Sequence, residues 1–177
     1  IYEYIRYQNN ARFYTIAELD EEIFSRTLTM NGVSKAYSMT GWRIGYCGGP
    51  IEIINAMRKL MGQSTSNPSS ISQWATVEAL NGSKDFLNLW IESFKERRDF
   101  IVNYLNQCNG ISCLNPEGAF YVYPSCEGLI GKKYKGKIIS NDNDFAMILL
   151  KEKLVRVVHG EAFGLSPFFR ISYATSM

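Results

Sequence analysis

The segment NGVSKAYSMTGWRIGYCGGP, Asn31 to Pro50, decides how the rest of the chain is read. It carries two cations, Lys35 and Arg43, eight residues apart. Their neighbours are small, hydroxylated, aromatic or apolar. A solvated loop usually holds more charge than this, and a buried strand usually holds none. Two isolated cations in such a setting need a physical reason.

One reason is chemical. A lysine in an apolar, partly closed site loses solvation, its pKa falls, and its amine becomes a nucleophile toward an aldehyde. An arginine offers a planar, permanently charged fork that matches a phosphate dianion. Ser34, Ser38 and Thr40 add hydroxyl donors nearby. The other reason is structural: Lys35 extends its amine to water along an apolar stem, and Arg43 pairs with a carboxylate. Spacing alone leaves the two readings level.

The bulk properties narrow the field. The chain has 177 residues, enough for one domain or two small ones with a core. Hydrophobic residues make up 46% and charged residues 20%, which is a globular balance. A net charge of +2 gives no footprint for nucleic acid or an anionic membrane. The run GKKYKGK, Gly131 to Lys137, is the basic cluster and reads as a solvated loop between glycines. The four cysteines, Cys47, Cys108, Cys113 and Cys126, form no CxxC pair, and there is one histidine. That argues against a zinc site and for free thiols in a reducing cytoplasm. No apolar run is long enough to span a bilayer and no secretory signal opens the chain.

Along the chain, Thr27 to Gly32 reads as a short strand and WRIGYCGG as a second one ending in glycines. Pro50 then opens a helix in its first turn, with Ile53, Ile54, Met57, Leu60 and Met61 on one face. QSTSNPSSIS is a polar loop, and Ser69 or Ser70 caps the next helix, which runs to about Gly82. Lys84 to about Gln107 reads as one long helix. Beyond Gly110 the texture becomes β-rich, in ISCL, GAFYVYP, VRVVH and FRISYA, with one helix over Asp142 to Lys153. The expected organisation is an α/β part over residues 1–99, the end of a larger domain with its linking helix, and a small α+β domain over residues 100–177. IYEYIRY opens the chain in a strand-like pattern, and FFRISYATSM closes it just past another. The expectation is a piece of a longer polypeptide.

SKAYSMTGWRIGY closely resembles the pyridoxal-phosphate attachment segment of the class I aminotransferases, where Ser-Lys is followed by a hydroxyl-bearing stretch and Gly-x-Arg-x-Gly. IYEYIRY resembles the tyrosine-bearing strand of that family, and QSTSNPSSISQWATVEAL its Ser-Asn-Pro turn and helix. PEGAFYVYP and FRISYATS resemble its small-domain strands. The likeness covers essentially the whole chain and is nearest to the bacterial aspartate aminotransferase branch carrying MTGWRIGY. It implies an α/β fold-type I pyridoxal-phosphate enzyme, here the C-terminal portion of the large domain followed by the small domain.

The resemblance also assigns roles. Lys35 matches the catalytic Schiff-base lysine, which also shuttles the proton. Arg43 matches the cofactor-phosphate arginine, Tyr2 the tyrosine at the cofactor 3′ oxygen, and Arg170 the arginine that holds the substrate α-carboxylate. Independently, an arginine inside Phe-Phe-Arg-Ile must be paired or face a pocket. Ser66 and Asn67 match a turn that reaches toward the neighbouring subunit. His159 lies in a loop near the family's active-site entrance and reads as a structural histidine. No metal is implied. The aspartate that protonates the pyridine nitrogen, the ring-stacking aromatic and the asparagine near the 3′ oxygen are expected upstream of Ile1.

Two positions depart from the pattern. Gly32 stands where many relatives have a phosphate-contacting serine. Gly62 stands where one aspartate aminotransferase branch has the arginine for the distal carboxylate. The implied function is ping-pong exchange of an amino group between an amino acid, first aspartate, and a 2-oxo acid, first 2-oxoglutarate, in a cytoplasmic homodimer. The alternatives are an aromatic or prephenate-type aminotransferase, a lyase or decarboxylase on the same scaffold, or a non-catalytic sensing module. The fragment alone is expected to be inactive.

Overall fold

A computed structural model describes residues 1–8 and 12–176. They form two compact units, Ile1–Asn88 and Leu89–Met177.

In the first unit, α1 (Glu21–Ser25) is started by Asp20, whose carboxylate accepts from the Ile23 N–H at 2.7 Å. Strands β1 (Thr29–Gly32) and β2 (Gly45–Gly48) pair antiparallel, from Thr29 opposite Gly48 to Gly32 opposite Gly45. The connection between them carries Lys35 and Arg43. Helix α2 (Ile51–Gln63) follows, with Pro50 at the N-cap rather than inside the first turn. Helix α3 (Ser70–Asn81) has Ser69 at its N-cap, but the Ser69 side chain makes no capping bond. The long helix is a single element, α4 (Asp85–Asn106), which begins in the first unit and runs into the second. The small core of the first unit gathers Ile5, Tyr7, Val33, Ala36, Tyr37 and Ile44. None of α2 is buried, and Leu60, Ile71 and Trp74 are each more than 70% exposed.

IYEYIRY is not a strand. The Ile5 N–H donates to the Tyr2 carbonyl at 2.9 Å, closing a turn, and the Arg6 Nε donates to the Glu3 carbonyl at 2.8 Å. Local side-chain and turn bonds take the backbone groups that a ladder would need. The strand pattern survives as a single bridge residue, Arg6, between the buried Ile5 and Tyr7.

The second unit holds an antiparallel sheet in the order β3 (Tyr121–Val122), β7 (Phe169–Ser172), β6 (Val158–His159). ISCL contributes only an isolated bridge, Ser112 with Ser125. GKKYKGK is a hairpin rather than an open loop. Strands β4 (Lys133–Tyr134) and β5 (Lys137–Ile138) flank Lys135 and Gly136, both at positive φ (46° and 82°), as a two-residue type I′ turn requires. Helix α5 (Asp142–Lys153) is capped by Asn141, which accepts from the Asp144 N–H at 2.9 Å. Its Phe145 meets Phe169 of β7 edge-on at 5.2 Å, in a core shared with Cys126 and Ile139. Burying each such large apolar side chain is worth about 1.5–3 kcal/mol.

All four cysteines are free thiols. Burial pushes the Cys126 thiol up to about 11. Among the described residues no helix is long and apolar enough to cross a membrane, and no acidic, histidine or cysteine cluster could hold a metal ion.

Candidate active site

Lys35 sits in a turn just after β1, and the Ser38 N–H donates to its carbonyl at 3.1 Å. The turn is anchored from beneath: Val33 is 0% exposed, Ala36 2% and Tyr37 9%. Lys35 itself is half-buried. Burying the positions on either side of a lysine fixes its backbone and limits where the long side chain can go. Its Nζ stands 6.0 Å from the centre of the Tyr2 ring.

Tyr2 is brought there by two residues that the sequence reading did not single out. The Asn31 side chain in β1 donates from Nδ2 to Glu3 Oε1 at 2.8 Å, and Asn31 Oδ1 accepts from the Gly32 N–H at 2.8 Å. This bridge ties the N-terminal turn to the strand that leads to Lys35. The adjacent Tyr-Glu and Asn-Gly pairs were its only trace in the sequence.

Arg43 follows a 3-10 turn, Thr40–Trp42, in left-handed backbone (φ 54°, ψ 48°). It is exposed, and its Nη1 donates to the Thr40 carbonyl at 2.9 Å. Among the described residues no carboxylate pairs with it. Ser38 and Ser66 share the left-handed conformation at φ 54° and 63°. Such backbone costs a non-glycine residue about 1–3 kcal/mol and persists where the surroundings impose it. Ser66 donates its N–H to the Met61 carbonyl at 2.7 Å, and with Asn67 it edges a groove of about 280 Å³ that Cys47, Met57 and Arg58 also line.

Gly32 has a steric reason. A Cβ placed there would lie 3.0 Å from the Ile44 carbonyl oxygen across the β1–β2 pair, tighter than ordinary contact. A serine at this position would require the facing backbone to give by a few tenths of an ångström. Tyr37 is buried with its ring edge-on to Tyr4 at 6.0 Å, and burial, with Tyr4 second, pushes its phenol up to about 12. It stays neutral beside the lysine.

In the second unit Arg170 lies in β7, opposite Val158 of β6. Its guanidinium carbon is 4.6 Å from the centre of the Tyr121 ring and 4.5 Å from that of Phe163. Two aromatic rings at this range hold a planar cation by π attraction, at about 0.5–2 kcal/mol each. Among the described residues no carboxylate pairs with Arg170. His159 takes the N-cap position of the 3-10 turn Gly160–Phe163 without a side-chain capping bond.

The first unit thus presents a half-buried amine, a phenol, a guanidinium and hydroxyls. Pyridoxal phosphate joins an aldehyde, a phosphate monoester and a phenolic oxygen on one ring, and this donor set fits it.

The whole chain, residues 1–177, matches the family model described as aminotransferase class I and II. It is 58% identical over 177 residues to a probable aspartate/prephenate aminotransferase of Rhizobium leguminosarum bv. phaseoli, covering 99% of this chain and 44% of that protein. Among solved structures, the aspartate aminotransferase of Rhizobium meliloti superposes with a TM-score of 0.95 at 58% identity, over 99% of this chain and 44% of the other. An aromatic aminotransferase of Pyrococcus horikoshii superposes at 0.85 with 35% identity, over 99% and 45%. The chain therefore spans less than half the length of the proteins it matches.

Proposed function

Because the chain belongs to the class I and II aminotransferase family, whose members use pyridoxal phosphate, we propose that it is part of an aminotransferase exchanging an amino group between aspartate and 2-oxoglutarate. The observation that carries this reading is the Lys35 amine, held half-buried over the Tyr2 ring at 6.0 Å by a turn with a buried floor.

On this reading residues 1–99 are the C-terminal part of the cofactor domain and residues 100–177 the small domain. Lys35 Nζ attaches the cofactor, Arg43 holds its phosphate, and the Tyr2 hydroxyl bonds its 3′ oxygen. When bound, pyridoxal phosphate supplies the aldehyde that receives the amino group and the ring that accepts the electron pair of the α-carbon. With its amine free, Lys35 Nζ would take the proton from the substrate α-carbon as a general base. Arg170 orients the substrate by a bidentate pair with its α-carboxylate, and orientation supplies much of the rate. The exposed Leu60, Ile71 and Trp74 suit an enzyme that buries this surface in a homodimer or against further chain. The setting is cytoplasmic.

The second reading is an aromatic or prephenate-type partner. It is favoured by Gly62, which carries no charge for a distal carboxylate, and by the names of the relatives above. Full-length enzyme assayed with aspartate and 2-oxoglutarate tests the proposal. Stoichiometric glutamate and oxaloacetate support it. Transfer only from an aromatic amino acid or to prephenate selects the second reading. Carbon dioxide or ammonia without glutamate would show a lyase or decarboxylase instead.

A further inference from the structure

Helix α5 begins with Asp142, a carboxylate that is 0% exposed and has no cationic partner among the described residues. Burying a carboxylate without a counter-ion is costly unless hydrogen bonds replace the lost water. Here they do. Asp142 Oδ2 accepts from the Glu161 N–H at 2.9 Å, and Oδ1 accepts from the Ser166 hydroxyl at 3.0 Å. Burial pulls its pKa up, but these bonds, with the N–H groups of Gly160 and of Asp142 itself, outweigh it and hold the carboxyl below its ordinary value. All the partners beyond its own helix belong to one loop, residues 160–166.

That loop is fastened from other sides as well. The Tyr123 hydroxyl lies 3.2 Å from the Gly160 carbonyl and 3.3 Å from that of Leu165. The Gly160 N–H donates to the Phe168 carbonyl at 2.7 Å, and the Leu165 N–H to the Gly160 carbonyl at 3.1 Å. A Cβ at Gly160 would stand 2.1 Å from the Leu165 carbonyl oxygen. The loop carries one aromatic side chain, Phe163. Phe163 is 49% exposed, yet its ring lies 4.5 Å from the Arg170 guanidinium and 6.2 Å from the Tyr123 ring. An aromatic ring half in water is not held there by its own burial. What holds it is the loop, and the buried Asp142 side chain, through its hydrogen bonds to Glu161 and Ser166, is one of the groups that hold the loop.

We propose that Asp142 is a positioning residue for substrate binding: it fixes the 160–166 loop so that Phe163 covers one face of Arg170 and the guanidinium is aimed at the α-carboxylate. Tyr123 sits within the same network. Its phenol is pushed up first by burial and then by the Asp142 charge, and is pulled back by the charge of Arg170. The inference rests on the reading of Arg170 as the carboxylate site.

A double-mutant cycle in the full-length holoenzyme tests it, with 2-oxoglutarate binding measured by calorimetry. Phe163→Ala and Asp142→Ala each weaken binding about tenfold, the worth of one charge-assisted hydrogen bond lost when the guanidinium is no longer held in its bidentate orientation. The double variant is about as weak as either single one, since both remove the same contact. Asp142→Asn binds within about twofold of the parent. Its amide oxygen still accepts from the Glu161 N–H, and the Ser166 hydroxyl can turn to accept from its amide nitrogen. Amide exchange across residues 160–166 quickens in Asp142→Ala and not in Phe163→Ala. If Asp142→Ala does not accumulate as folded protein, Ser166→Ala takes its place in the cycle, with a smaller loss and the same non-additivity. Losses that multiply to about a hundredfold, or a lower stability with unchanged affinity in the Asp142 variant, overturn the positioning role. Unchanged affinity in Arg170→Lys overturns the carboxylate reading itself, and this inference with it.

Discussion

Replacing Arg170 by lysine keeps the charge and removes the geometry. The guanidinium carbon lies 4.6 Å from the centre of the Tyr121 ring and 4.5 Å from that of Phe163, with no carboxylate partner among the described residues. An ammonium loses the stacked face on both sides, together about 1–2 kcal/mol at a half-exposed site. It also exchanges a two-pronged contact with a carboxylate for a single one, about 1.5–2 kcal/mol more. Because the ring contacts exist in the free enzyme as well, they bear on stability, and only the second loss, about 1.5–2 kcal/mol, lowers kcat/KM for the amino-acid half-reaction, by about 10- to 30-fold. Cofactor affinity should stay within about twofold, because Arg170 is not among the residues assigned to the cofactor. Single-turnover kinetics with aspartate, beside a cofactor titration, separates the two quantities. Loss of cofactor with intact amino-acid affinity would refute the assignment of Arg170.

Asn31→Ala removes the bond to Glu3 Oε1 that carries Tyr2 toward Lys35. It should cost about 1 kcal/mol of stability and shift the cofactor's absorbance titration, while Asn31→Asp should repel Glu3 and do more. Gly160→Ala places a methyl 2.1 Å from one carbonyl oxygen and 2.7 Å from another. It should destabilise by about 3 kcal/mol or more, read as a lower midpoint in denaturant. Asp142 titrates below its ordinary value of 3.8 in the fold, through the bonds from Glu161, Ser166 and Gly160 that outweigh its burial. Its contribution is therefore present above about pH 4 and lost as pH falls below that. Stability measured from pH 5 to pH 3 should fall less steeply in Asp142→Asn than in the parent.

The sequence carried helices α2 to α5 and the two strands that flank Lys35 and Arg43, and for physical reasons. Periodicity marks a long amphipathic helix such as α4, which spans 22 residues. The glycines around Lys35 and Arg43 announce a turn wherever it is placed. IYEYIRY was misread because alternation describes burial, and the Tyr2–Ile5 turn satisfies that burial without a ladder. GKKYKGK was misread because composition emphasised its charge, while the Lys-Gly turn set its geometry. Asp142, Tyr123 and Phe163 left no motif. Asp142 and Tyr123 act through bonds across 19 to 42 positions of sequence, and Phe163 through a ring contact with Arg170, none of which periodicity can report. The Asn31–Glu3 bridge, across 28 positions, was invisible for the same reason.

The most direct measurement is chemical. Borohydride reduction of the full-length protein loaded with pyridoxal phosphate fixes the cofactor to whichever amine holds it, and peptide mapping identifies that amine. The account expects the label on Lys35, in the peptide containing Ser34 to Arg43, and no label in Lys35→Ala although that variant still binds the cofactor through Arg43. A label on any other lysine, or full transaminase turnover in Lys35→Ala, would contradict it.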